Sequence, residues 1–377
     1  MKITAVTCYP VWGGSRNYLI VIVDTDTGLY GLGEAGLTGR ELAVMGAIDH
    51  FRPLLIGQDP GRIEHIWQTL SRGGFFPHDR ILGSAIAAID IALWDLKGKA
   101  LGVPVYDLLG GRVRDSVACY CHLGNASIDS MVELARARVA EGWKYVRWAI
   151  EAEDGVFEPT RAIQRGVEEF RIMREALGPE VELCYDLHTR LAPADAILFC
   201  RLVEPYRPYF IEDPIRSEST QAFHLLRDKI NVPLAAGEQF ASKWDFRELI
   251  DHDLIDYARV DLCIAGGLTE GKKIAGWCEA HYIDLVVHNP LGPVATAACV
   301  HLNLAIPNFA VQEQPHKPGA FLEDVVQSSL HWQDGSILPP VAPGLGLEFD
   351  RSAAAARPFR MQELPHFRRA DGSLTNW

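Results

Sequence analysis

Five carboxylates and one imidazole recur along the chain at nearly constant intervals: Asp186, Glu212, Glu238, Asp261, His288 and Glu313. Successive separations are 26, 26, 23, 27 and 25 residues. That is about the length of a strand, a helix and two loops, since a βαβ crossover needs roughly 30 residues. Each group follows a short, mostly apolar run: Leu183-Cys184-Tyr185, Tyr209-Phe210-Ile211, Leu234-Ala235-Ala236-Gly237, Tyr257-Ala258-Arg259-Val260, Leu285-Val286-Val287 and Phe309-Ala310-Val311. The pattern puts one ionisable group at the end of each of six consecutive strands, and in a closed parallel barrel those ends converge on one mouth. With no lysine beside them, Asp186, Glu212 and Glu238 would repel one another, and a hard divalent cation relieves that repulsion. An all-oxygen donor set favours Mg²⁺, with Mn²⁺ as the alternative, over zinc. Three carboxylates leave about three of six octahedral positions for water or substrate. Any one of these acids alone reads as a solvated loop charge; the regular spacing is what separates them from that reading.

Asp261 and His288 end adjacent strands in this scheme. A carboxylate on one imidazole nitrogen fixes the tautomer and makes the other nitrogen a better base. The pair is therefore a candidate general base working near neutral pH. His188 lies two residues beyond Asp186, and a two-residue step on a strand keeps the same side. It is a candidate acid for a leaving group, or a partner that steadies a ligand. Glu313 is either a solvated strand-end charge or, if crowding by other acids keeps it protonated, a hydrogen-bond donor to a substrate carboxylate. Arg147, on the second strand, either neutralises an oxyanion or snorkels to the surface.

The elements that must position these groups change character along the chain. Residues 1–112 read as strands followed by helices. Ile3–Tyr9, Tyr18–Val23 and Leu29–Ala35 are strands, with a turn at Asp24-Thr25-Asp26-Thr27-Gly28. Helical patterns follow over Glu41–Leu55, Ile63–Leu70 and Ile81–Ala100. Gly110-Gly111 ends this α+β segment. Residues 113–336 alternate strand and helix, giving eight strands, enough to close a barrel. A doubly wound open sheet is the alternative, but it would not bring six strand ends so evenly onto one site. The tail, 337–377, lacks another strand–helix unit and is expected to return to the N-terminal domain.

Bulk properties narrow the partners. A chain of 377 residues suggests about two domains. A net charge of -13 argues against nucleic acid. Apolar runs such as Leu19–Val23 are too short to span a membrane, and Met1-Lys2-Ile3-Thr4 begins no signal-peptide pattern, so a cytoplasmic location is expected. Eight cysteines in a chain this long do not make a disulfide scaffold, and the Cys119/Cys121 pair fits a strand better than half a metal site. A small-molecule substrate and a homo-oligomer are expected.

Several motifs together resemble one family. They are Tyr185-Asp186-Leu187-His188, Ile211-Glu212-Asp213-Pro214, Ala236-Gly237-Glu238, Val260-Asp261, Ala265-Gly266-Gly267-Leu268-Thr269, His288-Asn289-Pro290-Leu291-Gly292-Pro293 and Gln312-Glu313-Gln314. On the N-terminal side stand Ser84-Ala85-Ile86-Ala87-Ala88-Ile89-Asp90 and Ala92-Leu93-Trp94-Asp95-Leu96-Lys97-Gly98-Lys99. Over essentially its whole length the chain resembles the enolase superfamily, in the mandelate-racemase subgroup, and within it the acid-sugar dehydratases of the D-galactonate dehydratase type. The resemblance implies a (β/α)7β TIM-like barrel under an α+β capping domain made from both chain ends. It implies one Mg²⁺ per chain on Asp186, Glu212 and Glu238. By the same likeness His288, paired with Asp261, removes the proton α to a carboxylate, His188 protonates the departing 3-hydroxyl, and Glu313 assists the enolate. Arg147, His122, Trp12 and Arg16 are the expected substrate contacts, with specificity in the capping loops Trp12–Asn17 and Gly73–Arg80. The implied reaction is dehydration of an aldonic acid, D-galactonate first, to a 2-keto-3-deoxy acid, with D-mannonate, D-gluconate and other sugar acids as alternatives.

One departure bears on a rival reading. Many relatives carry a lysine pair on the second strand, where this chain has Lys144-Tyr145-Val146-Arg147-Trp148-Ala149. Arginine is a poor base. A racemase or epimerase, which needs bases on both faces of C2, is disfavoured accordingly. A non-catalytic metal-binding barrel is disfavoured by the Asp261–His288 pair, which metal binding does not need. The closing Gly372-Ser373-Leu374-Thr375-Asn376-Trp377 resembles the tails of both galactonate and mannonate dehydratases.

Overall fold

The computed structural model describes residues 1–124, 127–152, 155–364 and 366–376; Trp377, the last residue of the closing motif, lies outside the described residues. The N-terminal segment forms an antiparallel sheet of β1 (Ile3–Trp12), β2 (Asn17–Thr25) and β3 (Tyr30–Ala35). Helices α1 (Glu41–Leu55), α2 (Ile63–Arg72) and α3 (Arg80–Leu101) follow, then a single turn, α4 (Val105–Leu108). Asp79 caps α3 by accepting from the backbone of Ile81 and Leu82, and left-handed Gly102 ends it. β3 lies directly on α3. A Cβ on Gly33 would stand 1.8 Å from the Ala88 carbonyl oxygen, so only glycine permits that approach.

The barrel is built of β4 (Val117–His122), β5 (Tyr145–Ala149), β6 (Glu182–Asp186), β7 (Phe210–Glu212), β8 (Leu234–Ala236), β9 (Tyr257–Ala258), β10 (Asp284–Leu285) and β11 (Gln312–Glu313). Neighbours pair in parallel from β4 through β10, and β11 pairs with β4. A parallel bridge between Leu285 and Phe309 closes the ring. Between successive strands lie α5 (Ile128–Ala140), α6 (Pro159–Leu177), α7 (Pro193–Val203), α8 (Ala222–Arg227), α9 (Lys243–Asp251), α10 (Gly267–Ala280) and α11 (Pro293–Ala305). This is the expected (β/α)7β barrel, not an open doubly wound sheet. Tyr120, Cys184, Phe210 and Ala235 on β4, β6, β7 and β8, with Val286 just after β10 and Val311 just before β11, fill its interior as a buried cluster. Cys119 and Cys121 are buried on β4, and all eight cysteines are free.

Beyond the barrel come β12 (Val326–Ser328), β13 (His331–Gln333), β14 (Ser336–Leu338), β15 (Leu347–Phe349) and α12 (Arg351–Ala355). β14 pairs antiparallel with β4 and β13 with β14, while β12 pairs with β15. The tail then touches the capping domain: Arg351 bonds Asp24, the Tyr30 hydroxyl bonds Glu348, and Arg360 and Asn17 exchange two hydrogen bonds. Its last stretch goes elsewhere. Phe367 lies against the Arg190 guanidinium, and Asn376 donates to the Thr189 carbonyl at 2.9 Å, so the end of the chain seats on the loop after β6.

Buried carboxylates fasten the capping domain to the barrel. Glu34, from β3, accepts from the backbone N–H groups of Gly292 (2.7 Å) and Ala295 (2.9 Å) at the start of α11. Asp90, from α3, accepts from the Thr269 backbone (3.0 Å) and hydroxyl (2.5 Å) in the first turn of α10. Both use the unpaired donors and positive end of a helix N-terminus. No helix among the described residues is long and apolar enough to cross a membrane.

Candidate active site

Asp186 and Glu212 are the last residues of β6 and β7 and stand opposite each other in the strand register. Glu238 follows β8 by one residue. The intervening Gly237 has φ +128°, and a Cβ there would lie 2.4 Å from the Phe246 ring, so the turn that aims Glu238 inward requires glycine. Asp261 and His288 follow β9 and β10, and Glu313 ends β11. Backbone strain gathers at the same rim: Asp213 has φ 34°, His188 49° and Thr189 59°. His188 is therefore not on the strand. β6 stops at Asp186, and a left-handed turn, held by the His188 backbone N–H on the Asp186 carboxylate at 2.6 Å, places the imidazole.

Among the described residues, Glu212, Asp213 and Glu238 bring carboxylate oxygens within 4.8 Å of one another. Asp213 was seen in the sequence only as part of a motif. Asp186 is not in that closest group, and its carboxylate is engaged by Arg147. Arg147 Nε also lies 3.6 Å from Glu212, so this arginine is paired to the acid cluster instead of standing free for an oxyanion. Both Glu212 oxygens are buried without a well-angled hydrogen bond, although Arg259 Nη2 is 2.6 Å from one. Burial first, and then Glu212 and Asp186, push the Asp213 carboxyl well above its ordinary range. Burial, with Asp213 and Asp186 adding to it, does the same to Glu238 against the opposing pull of His288. An all-oxygen cluster with orphaned acceptors and acids that cannot all ionise together fits a hard divalent cation.

His288 Nδ1 is 2.7 Å from Asp261, and its Nε2 is 3.3 Å from Glu238. The other Asp261 oxygen accepts from the Cys263 backbone at 2.7 Å, so the carboxylate that orients the ring is itself held. Burial lowers the imidazole, but Glu238, the Asp261 hydrogen bond and Glu313 outweigh it and raise His288 to about 9. His188 is shifted the other way, well below its usual value, by burial and then by the charges of Arg190 and Arg147.

Glu313 is neither solvated nor crowded by acids alone: cationic and N–H partners surround it. Arg259, one residue of the apolar run before Asp261, is fully buried, and its Nη2 bonds Glu313 at 2.7 Å. Glu313 also accepts from the Asn289 backbone at 2.9 Å and pairs with His122 Nε2 at 2.8 Å. Burial raises its carboxyl, but Arg259, then the His122 hydrogen bond and His288, hold it well below the usual range. His122 thus touches Glu313, at the edge of the site. Arg16 donates to the Pro290 carbonyl, two residues past His288. Arg80 donates to the Gln239 carbonyl at 2.6 Å, next to Glu238. Both capping loops therefore border the mouth. Trp12 does not join the cluster: the Arg360 guanidinium sits over its ring, 5.2 Å from the centroid.

Known proteins agree with this architecture. Residues 130–353 match the model of the enolase C-terminal domain-like family, and residues 12–110 match the mandelate racemase / muconate lactonizing enzyme N-terminal domain. The chain is 38% identical over 390 residues to a D-mannonate dehydratase of Sphingomonas sp. (strain SKA58), covering 96% of each. It is 38% identical over 385 residues to a D-galactonate dehydratase of Ralstonia nicotianae (strain ATCC BAA-1114 / GMI1000), covering 100% of each. The crystal structure of an enolase from Pantoea ananatis, with bound D-gluconate and Mg, superposes with a TM-score of 0.94 at 33% identity and full coverage of both chains. With both of its domains matched and relatives aligned end to end, the chain belongs to the enolase superfamily, in its mandelate racemase / muconate lactonizing enzyme branch.

Proposed function

We propose that the protein is a Mg²⁺-dependent sugar-acid dehydratase, a hydro-lyase that converts an aldonic acid to its 2-keto-3-deoxy acid, with D-galactonate the first substrate and D-mannonate and D-gluconate the alternatives. The observation that carries this reading is the Asp261–His288 pair set 3.3 Å from the acid cluster, a base directed at the place where a metal-bound carboxylate would sit. Asp186, Glu212 and Glu238 would hold the ion, with Asp213 beside them. The ion would stabilise the second negative charge that forms on the substrate carboxylate.

The remaining chemistry belongs to side chains. His288 Nε2 takes the C2 proton, and the electron pair left behind forms the enediolate. Glu238 is the largest upward pull on the His288 proton, so a Glu238 whose charge is already shared frees Nε2 to act as base. The enediolate then expels the 3-hydroxyl, which leaves as water with a proton from His188, once the negative charge of the bound acid offsets the burial and the arginine charges that hold that imidazole neutral. The resulting enol takes a proton at C3 and becomes the 2-keto acid, so the net change is loss of one water. Glu313, ionised and fixed by Arg259, His122 and the Asn289 backbone, sets a rigid wall of the site on the β11 side. Arg16 and Arg80, from the two capping loops, border the region where the sugar chain would extend.

The test is a screen of purified protein with Mg²⁺ against a library of aldonates and aldarates, read by formation of 2-keto product. Turnover of D-galactonate, D-mannonate or D-gluconate supports the assignment. Turnover confined to C2 epimerisation, with proton exchange and no loss of water, replaces it with racemisation.

A further inference from the structure

A second cluster of metal-ligating groups lies outside the acid site. His224, on α8, and Glu248 and His252, on and just after α9, bring ligand atoms within 4.8 Å of one another. Glu248 and His252 are four residues apart, which sets them one above the other on a helix face. Both imidazoles converge on the same carboxylate oxygen: Glu248 Oε1 is 2.9 Å from His224 Nε2 and 3.8 Å from His252 Nε2. The two rings lie 5.2 Å apart between centroids. Donor atoms around a tetrahedral Zn²⁺ with bonds near 2.0–2.1 Å stand about 3.3 Å apart. The two observed separations bracket that value, so small side-chain rotations suffice to close the site.

The donor set is distinct from that of the barrel mouth. Two imidazole nitrogens and one carboxylate suit Zn²⁺ and its borderline neighbours, whereas an all-carboxylate cluster suits Mg²⁺. The position is distinct too. α9 leads into the start of β9, so His252 lies toward the end of the barrel opposite the strand ends that carry Glu238 and Asp261. The side chains are 43%, 30% and 54% exposed for His224, Glu248 and His252, so the cluster is open to an ion from solvent.

We propose that His224, Glu248 and His252 form a Zn²⁺-class metal site on the outer surface of the barrel, one that clips α8 to α9 and takes no part in the reaction at the mouth. Binding of an ion by the folded chain alone stabilises it by mass action.

Chelator-stripped protein in excess Mg²⁺ is titrated with Zn²⁺ by calorimetry, with circular dichroism confirming that each variant is folded. Wild type and Glu238→Gln should show the same Zn²⁺ binding event. His224→Ala and His252→Ala should each weaken it at least about tenfold, since even partners of a ligand are worth 10–100-fold in affinity. Zn²⁺ should also raise the thermal midpoint of wild type and not of His252→Ala. Unchanged affinity in both histidine variants, loss of the event in Glu238→Gln alone, or no event in wild type up to millimolar Zn²⁺ overturns the assignment.

Discussion

Arg259 and Glu313 form a fully buried ion pair at the floor of the acid site, Nη2 to Oε2 at 2.7 Å, and the same Nη2 lies 2.6 Å from Glu212. One guanidinium thus links the last strand of the barrel to the strand carrying a central acid of the cluster. A buried charge stripped of its partner is far more costly than the pair is beneficial. Arg259→Met should therefore destabilise the protein by about 3–5 kcal/mol, read from urea unfolding, and should abolish turnover in whatever fraction remains folded. Arg259→Lys, which keeps the charge and loses the planar fork, should recover much of the stability and little of the activity. Equal stability of wild type and Arg259→Met would show that the pair contributes nothing net.

The part of the site that was legible in sequence is the part written along strands. A strand end after an apolar run is a local signal, so Asp186, Glu212, Glu238, Asp261, His288 and Glu313 could be placed on consecutive strands before any contact was known. Arg259 was not legible because a single arginine inside Tyr257–Val260 looks like a side chain that snorkels outward. Only the closed barrel reveals that it points to the interior. Glu34 and Asp90 were hidden for a related reason: their partners, Gly292, Ala295 and Thr269, belong to another domain more than 170 residues away. The strand step that sets His188 beside Asp186 fails because the chain turns left-handed at His188 and Thr189. Periodicity reports faces of elements; it does not report which residues of distant elements meet.

The metal reading predicts a reversible loss. Chelation of wild type should abolish turnover, and added Mg²⁺ should restore it. Glu238→Gln should lose turnover while circular dichroism and the unfolding midpoint remain near wild type, because it removes one charge from a crowded, self-repelling cluster, whereas Glu212→Gln should lose turnover and some stability, because it takes a partner from Arg259. Full activity in thoroughly chelated protein would remove Mg²⁺ from the mechanism.

The carboxylates that fasten the capping domain predict a pH dependence of stability. Burial, against the backbone hydrogen bonds of Ala295 and Gly292, raises Glu34 from 4.5 to about 7. Burial, against the two hydrogen bonds of Thr269, raises Asp90 from 3.8 to about 7. A raised carboxyl pKa means that the folded chain holds a proton the unfolded chain has released. The associated stability is complete below about pH 4 and is lost as pH rises toward 7. At saturating Mg²⁺, which silences the acid cluster, the urea midpoint should fall between pH 5 and pH 7.5. Asp90→Asn should flatten that slope, because Asn accepts from the Thr269 backbone and donates to its hydroxyl without titrating. An identical slope in Asp90→Asn would assign the dependence to other groups.

The two histidines can be told apart by isotope exchange. His288 is held by Asp261 and lies beside the cluster, while His188 sits in a strained turn on the Asp186 side of the mouth. In the proposed reaction, removal of the C2 proton precedes loss of the 3-hydroxyl. His288→Asn should therefore lose both dehydration and exchange of the C2 proton with solvent deuterium. His188→Asn should lose dehydration and still exchange that proton, because its enediolate forms and returns without a path forward. General acid–base groups are each worth about 10²–10⁴-fold, so either loss is readily measured. Each variant is incubated with an accepted aldonate in D₂O and the C2 proton followed by NMR. Fast exchange by His288→Asn together with none by His188→Asn reverses the roles. Exchange absent from both places His188 within the proton-removal step, either as a second base or as the group that fixes the substrate for His288.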